Sequence, residues 1–286
     1  MALSLTARRT RLREVLAGSA CVSPASVYDA LSARVAEAVG YQIGLFSGSV
    51  ASSTVLAAPD LQVITSTEFA GQIRRITRAC SLSLLVDADD GYGNALNVMR
   101  TVEEVEHAGA SGMSIEDSAA RGVGNADGTQ MVSIEEMAGK LRAAMLARQD
   151  PSFVIVGRTR ALRAGVTEYA VVRAKASAKA GADAVFLVGL ENLAQVQAVH
   201  DAVPLPLIIG STEADLSRED LAPWGARIFL QGHQPVAAAV KAFYETYTHL
   251  HTGGSPAELT PKIASPEEME RLTKAGAYRE WQREYL

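Results

Sequence analysis

Acidic side chains collect where apolar runs of this sequence stop. Asp87 and Asp89 follow one run in Asp87-Ala88-Asp89-Asp90-Gly91-Tyr92-Gly93, Glu116 follows Ser114-Ile115, and Asp60 stands in Ala58-Pro59-Asp60. Brought to one mouth, these carboxylates repel one another unless a cation neutralises them, and an all-oxygen donor set selects a hard divalent ion. Mg2+ or Mn2+ is the expected cofactor, with Asp60, Asp87, Asp89 and Glu116 as its metal set. Zinc is disfavoured, because no Cys cluster and no His pair at ligand spacing is present. A single Asp after a strand is more often a turn or helix cap, but the group Asp87, Asp89 and Glu116 is better read as a site.

Arg158 closes another apolar run, and a planar guanidinium there suits a two-bond grip on a carboxylate. A structural pairing with Glu116 is the competing reading, and the two are compatible. Ser47-Gly48-Ser49 ends a further run and is expected to bind substrate, its backbone N–H groups facing an oxyanion, although a Gly-Ser turn is also ordinary loop chemistry. His233, after Gly232, stands where an imidazole reaches the same mouth; a capping or buried hydrogen-bonded histidine is the equal alternative. Arg158 and His233 are the expected catalytic residues, and both also count as substrate-binding.

These residues share a mouth only if the elements carrying them repeat. Short runs rich in Val, Ile and Leu alternate with amphipathic stretches of helical length, the pattern of βα units with parallel strands. Strands are expected at Ala20 to Ser23, Gln42 to Phe46, Ser83 to Val86 and Gly112 to Ile115, then at Phe153 to Gly157, Ala184 to Val188, Leu205 to Ile209 and Arg227 to Leu230. Helices are expected at Val27 to Val39, Ser66 to Ala79, Ala95 to His107 and Ile134 to Arg148, the last entered through a Ser133/Glu136 capping box. Glu168 to Ala180, Glu191 to Ala202, Arg218 to Ala222 and Gln234 to His249 complete the set.

About eight units is the number of a (β/α)8 TIM barrel, whereas an open doubly wound sheet more often stops at five or six strands. The expectation is one barrel domain over residues 1–286 with a helical extension from about 255, where a Gly-Gly-Ser-Pro linker precedes segments at Pro266 to Lys274 and Ala277 to Tyr285. In such barrels the catalytic groups sit at the carboxyl ends of the strands, which is where the acids, Arg158 and His233 fall.

Composition narrows the classes. With 48% hydrophobic and 21% charged residues the chain is an ordinary globular one, and a net charge of -5 with no basic stripe makes nucleic acid a poor partner. No apolar run reaches the roughly 18 residues of a membrane span, and the arginine-rich start lacks the apolar core of a signal peptide. Two distant cysteines, Cys21 and Cys80, fit neither a disulfide framework nor a CxxC site, so a soluble cytoplasmic protein is expected.

The ordered set Ser47-Gly48, Ala58-Pro59-Asp60, Asp87-Ala88-Asp89 with Gly91-Tyr92-Gly93-Asn94, Ser114-Ile115-Glu116-Asp117 and Arg158-Thr159 resembles the isocitrate lyase and phosphoenolpyruvate mutase superfamily over nearly the whole chain. The nearest likeness is to its oxaloacetate decarboxylase branch. The resemblance implies a Mg2+-dependent barrel in which Asp87, Asp60, Asp89 and Glu116 hold the metal and its waters, while Ser47, Gly48 and Arg158 bind the substrate carboxylate and enolate oxygen. It also implies a homotetramer that exchanges its eighth helices.

Departures from the superfamily pattern help choose a reaction. Lyases of the superfamily carry a Lys-Cys-Gly-His loop after the Glu-Asp motif, and residues 118–128 here contain no Cys, Lys or His. Arg160 stands where relatives carry Asn or Asp, and Asp90 replaces a frequent His. Retro-aldol cleavage needs both a base and an acid, whereas decarboxylation of a β-keto acid needs chiefly an electron sink. Decarboxylation of oxaloacetate, or of a related small 2-oxo diacid, is therefore the leading expectation. A carbon–carbon lyase of the 2-methylisocitrate or dimethylmalate type is the enzymatic alternative, and a catalytically silent binding barrel is the third reading.

Overall fold

The computed structural model describes residues 3–119, 125 and 130–286. Among them, eight parallel strands follow one another in sequence order: β1 (Ala25–Ser26), β2 (Ile43–Ser47), β3 (Ser83–Asp87), β4 (Gly112–Glu116), β5 (Val154–Thr159), β6 (Ala184–Leu187), β7 (Leu207–Ile209) and β8 (Ala226–Phe229). Val22 closes the ring. Its amide donates to Arg227 O at 2.9 Å and its carbonyl accepts from Phe229 N at 2.9 Å, a parallel bridge to Ile228. The chain is a (β/α)8 barrel, as its unit count predicted. The first strand is corrected: the ladder with β2 forms at Ala25–Ser26, not at Ala20 to Ser23, and of the latter stretch Val22 supplies the closing bridge.

Period-two alternation sorts each strand between two cores. Ile43, Leu45, Leu85, Val154, Val156, Phe186, Ile208 and Ile228 fill the barrel interior. Their neighbours Phe46, Leu84, Val86, Met113, Ile115 and Ile155 face outward onto the helices. Those helices are α2 (Ala30–Val39), α4 (Ser66–Ala79), α5 (Ala95–His107), α6 (Ile134–Ala147), α7 (Thr167–Ala180), α8 (Leu193–His200), α9 (Arg218–Leu221) and α10 (Gln234–His251), with α1 (Leu5–Ala17) and α3 (Gly48–Leu56) outside the simple repeat. Thr65 and Glu68 form a capping box on α4, whereas on α6 only half of the expected box forms, Ser133 accepting from the Glu136 amide without a return bond from the Glu136 carboxylate.

The first helix, α1, carries four arginines and was not among the expected helices. It lies across the amino ends of the strands. Leu12 and Leu16 enter the barrel interior, Arg9 bonds Ala110 O and Glu106 O and pairs with Asp150 at 2.7 Å, and Arg13 bonds the carbonyls of Ser152 and Phe153. The arginines thus satisfy carbonyls left open just before β4 and β5 and in the last turn of α5. At the other end of the chain α10 buries none of its residues, and it is followed by α11 (Pro266–Thr273) and α12 (Ala275–Tyr285). No described helix is long and apolar enough to cross a membrane.

Candidate active site

The carboxyl ends of β2 to β5 stand level. Ser47 is in register with Asp87, Asp87 with Ser114, and Glu116 with Arg158, so one polar residue from each strand reaches the same rim. They surround a cavity of about 260 Å3. Ser47, Ser49, Asp60, Asp87, Asp89, Glu116, Arg158 and His233 all line it. Gly48 stands behind Asp89, close enough that a side chain there would meet the carboxylate. All nine residues singled out from the sequence are therefore brought together.

The acids differ in how they are held. Asp87 accepts from Ser114 Oγ at 2.7 Å and is tied to the Arg158 guanidinium, which also reaches Glu116 Oε2 at 3.4 Å. Arg160 Nε lies 3.0 Å from Glu116 Oε1. Asp89 has no such support: its Oδ2 is buried without a hydrogen-bond partner. Burial, then Asp87 and Asp60 nearby, push the Asp89 carboxyl well above its ordinary range. Glu116 is raised too, by burial against the opposing pull of Arg158. Burial by itself would lower Arg158, but Asp87 and Glu116 outweigh it and hold the guanidinium firmly charged.

The acidic loop is built under strain. Asp89 adopts a left-handed backbone at φ 48°, which costs a non-glycine residue roughly 1–3 kcal/mol and persists only where neighbours enforce it. Those neighbours are specific. Glu116 N donates to Asp89 O at 2.7 Å, and Lys140, buried on α6, donates to Asp90 O at 3.0 Å with its ammonium 3.6 Å from the Asp90 carboxylate.

A hard cation fits this arrangement. Among the described residues no three His, Cys, Asp or Glu side chains converge closely enough to chelate an ion directly. Mg2+ takes one or two carboxylates and keeps several waters, so spaced acids suit it, and the orphaned Asp89 oxygen is the atom that most needs a positive partner.

The imidazole of His233, which also lines the cavity, is held at both nitrogens. Nδ1 is 2.8 Å from Ser26 Oγ and Nε2 is 3.1 Å from Ser47 Oγ, which in turn lies 2.9 Å from Ser49 Oγ. Burial lowers its pKa below the ordinary 6.5, so the ring is neutral at neutral pH. Ser47 is also the N-cap of α3, a helix not foreseen from its small, serine-rich sequence. Its presence turns the expected oxyanion amides into the first N–H groups of a helix, which have no intrahelical acceptor and sit at the positive end of its dipole.

A family model described as phosphoenolpyruvate phosphomutase matches residues 12–251. The chain belongs to that family. Among relatives of this phosphoenolpyruvate phosphomutase family member is an oxaloacetate decarboxylase of Rhodopseudomonas palustris (strain ATCC BAA-98 / CGA009), 48% identical over 269 residues that span 94% of this chain and 93% of the relative. The phosphoenolpyruvate phosphomutase of Streptomyces platensis subsp. rosaceus superposes with a TM-score of 0.86 at 28% identity, covering 97% of this chain and 99% of that one. A phosphonopyruvate hydrolase crystallised with oxalate and Mg2+ gives 0.85 at 30% identity over 97% and 99%.

Several residues of this family member's site were not read from its sequence. Asp117, 1% exposed, accepts from Thr159 Oγ1 at 2.6 Å and Arg160 N at 3.1 Å and pairs with Arg173 at 3.0 Å, locking the ends of β4 and β5 together. Lys140 carried a legible signal, a charged residue on the same helix face as Met137, Leu141 and Ala144. Phe186, under the Arg158 guanidinium at 5.1 Å, and Arg163 also line the cavity. In the stretch 118–128, Ser118 and Ala119 line the cavity, and Asn125 Nδ2 donates to Ala119 O at 3.0 Å, while Arg121 lies outside the described residues.

Proposed function

We propose that this protein is a lyase that decarboxylates oxaloacetate, or a closely related small 2-oxo diacid, to pyruvate and CO2. The observation that carries the reading is a polar cavity in which unsupported acid, paired acids and a carboxylate-binding arginine meet, in a chain 48% identical to a relative named for that reaction. Asp87, Asp89, Glu116 and Asp60 would hold Mg2+, or Mn2+ in its place, and the waters around it. When bound, the ion supplies the positive charge that makes a 2-oxo acid an electron sink.

The chain's own groups do the rest. Arg158 grips the carboxylate next to the oxo group, its plane fixed by Phe186 beneath and by Asp87 and Glu116 at its edge. The carbon–carbon bond to the distal carboxylate breaks, CO2 leaves, and the bonding pair passes into an enolate of pyruvate. The Gly48 and Ser49 amides at the start of α3 stabilise the enolate oxygen. His233, neutral and bridging Ser26 and Ser47, relays a proton drawn from solvent, accepting at one ring nitrogen while donating from the other, so that the enolate carbon is protonated, both serines keep their hydroxyl protons and the imidazole carries no net charge.

The test is to incubate the protein with oxaloacetate and Mg2+ and to follow CO2 and pyruvate separately, with and without chelator. Stoichiometric CO2 and pyruvate that disappear on chelation support the reading. Glyoxylate or another aldehyde-type fragment from 2-methylisocitrate or dimethylmalate, without CO2 from oxaloacetate, overturns it.

The same reading includes assembly and location. The α10 helix presents Val240, Phe243, Tyr244 and Tyr247 at 51–76% exposure, an apolar face that suits a second copy and so a homotetramer with exchanged C-terminal helices. Sedimentation at several concentrations tests it, with a monomer at micromolar protein as the contrary result. Both cysteines are free and buried, in keeping with a cytoplasmic enzyme.

A further inference from the structure

Arg163 has no part in the chemistry described so far, yet it is seated with care. It belongs to a 3-10 turn, Ala161–Ala164, that follows β5 directly. Ala161 and Leu162 anchor the turn in the core at 0% exposure, Arg163 N donates to Arg160 O at 2.9 Å, and Gly165 closes the turn in a left-handed conformation. The aliphatic stem lies on Gly189, just beyond β6. A Cβ on Gly189 would stand 2.4 Å from Arg163 Cγ, and Gly189 itself sits at φ 86°, so glycine both turns the chain and makes room for the arginine.

The base and stem are fixed, and Arg163, itself exposed, lines the rim of the cavity. Arg158 and Arg160 ion-pair with Asp87 and Glu116, whereas Arg163 has no ion pair among the described residues and feels Glu116 only from beyond pairing distance. A divalent ion would answer Asp60 and Asp89, which leaves Arg163 as a second guanidinium, beside Arg158, with no protein carboxylate paired to it. Burial and the neighbouring Arg160 both act against its charged form, a surrounding that an anion would relieve.

We propose that Arg163 recognises the distal carboxylate of a dicarboxylic substrate, and so selects four-carbon 2-oxo diacids over shorter acids. This rests on the 2-oxo diacid reading above. Arg158 takes the carboxylate beside the oxo group, and Arg163, one turn beyond the end of the same strand, takes the second. Because the distal carboxylate is the one that departs as CO2, a cation on it strengthens ground-state binding without favouring bond cleavage. Removing it therefore raises KM and does not lower kcat.

The experiment compares the parent with Arg163→Gln and Arg163→Lys. Mg2+-loaded protein is titrated calorimetrically with malate, which has a distal carboxylate, and with oxalate, which has none; KM and kcat for oxaloacetate are measured alongside. In Arg163→Gln, malate affinity should weaken and KM for oxaloacetate rise about tenfold to a hundredfold, the size of one charge-assisted bond. Oxalate affinity should stay within about twofold and kcat should not fall, while Arg163→Lys should restore part of the malate affinity. Equal weakening for malate and oxalate, or an unchanged KM, overturns the proposal. A parent that releases no CO2 yet binds malate through Arg163 sinks the decarboxylase reading alone, and active variants with unaltered diacid binding sink this one alone.

Discussion

The Asp89 carboxylate occupies the space that a side chain at Gly48 would need: a Cβ on Gly48 would lie 2.5 Å from both Asp89 oxygens. The first residue of helix α3 thus limits where the least supported acid of the site can go. Asp89 cannot retreat, because its backbone is pinned by Glu116 N and its side chain is buried. Gly48→Ala should displace the carboxylate and lower Mg2+ affinity at least about tenfold, at a packing cost of roughly 1–3 kcal/mol. Calorimetric titration with Mg2+, together with circular dichroism to check the fold, decides it. Parental Mg2+ affinity would remove Asp89 from the metal set.

Arg158→Lys removes a planar donor pair that spans Asp87 and Glu116 and is proposed to grip substrate. A point-charge ammonium cannot reproduce either contact. The loss should be about 2 to 4 kcal/mol in the barrier, roughly thirty- to a thousand-fold in kcat/KM. A variant within a factor of three of the parent would assign Arg158 a structural role only.

His233→Ala should cut kcat by about tenfold to a thousandfold while Mg2+ still binds, because the relay between Ser26 and Ser47 is lost and Ser47 is left without its ring partner. Its lowered pKa also sets a direction with pH. The ring stays neutral as pH falls through its ordinary 6.5, and the relay fails only at lower pH, where the imidazole takes a second proton. The acid limb of kcat in the parent should therefore lie below pH 6.5. A limb at or above that value would show that another group limits the rate.

Asp150 ties the amino-terminal helix to the barrel, and its pKa is lowered to about 2 from an ordinary 3.8. Burial opposes that shift, but the Arg9 hydrogen bond and the Ser152 amide prevail. A carboxyl held below its unfolded value stabilises the fold above pH 3.8, and the benefit is lost as pH falls toward about 2. Asp150→Asn should lower the urea midpoint at neutral pH, and the gap from the parent should close across that window. A gap independent of pH would place the effect in packing.

Much of the architecture was legible because it is local. Ser66–Ala79 and Ala95–His107 begin and end where their caps and apolar periodicity put them, and the strand ends at Asp87, Glu116 and Arg158 could be read from an apolar run meeting a charge. The count of such units implied a barrel, and the barrel implied that those charges converge. Of the pairings only Arg158 with Glu116 was legible. Lys140 meets Asp90 from fifty positions away, Arg158 meets Asp87 from seventy-one, and Val22 closes the ring on Ile228. The four arginines of Leu5–Ala17 look solvated until the open carbonyls around the strand starts are set against them, and nothing in the sequence shows that Gly189 seats the stem of the exposed Arg163 beside the cavity. Periodicity and capping are properties of neighbours along the chain, whereas the charge state of Asp89, the neutrality of His233 and the direction of each guanidinium depend on burial and on groups that only the closed barrel brings within reach.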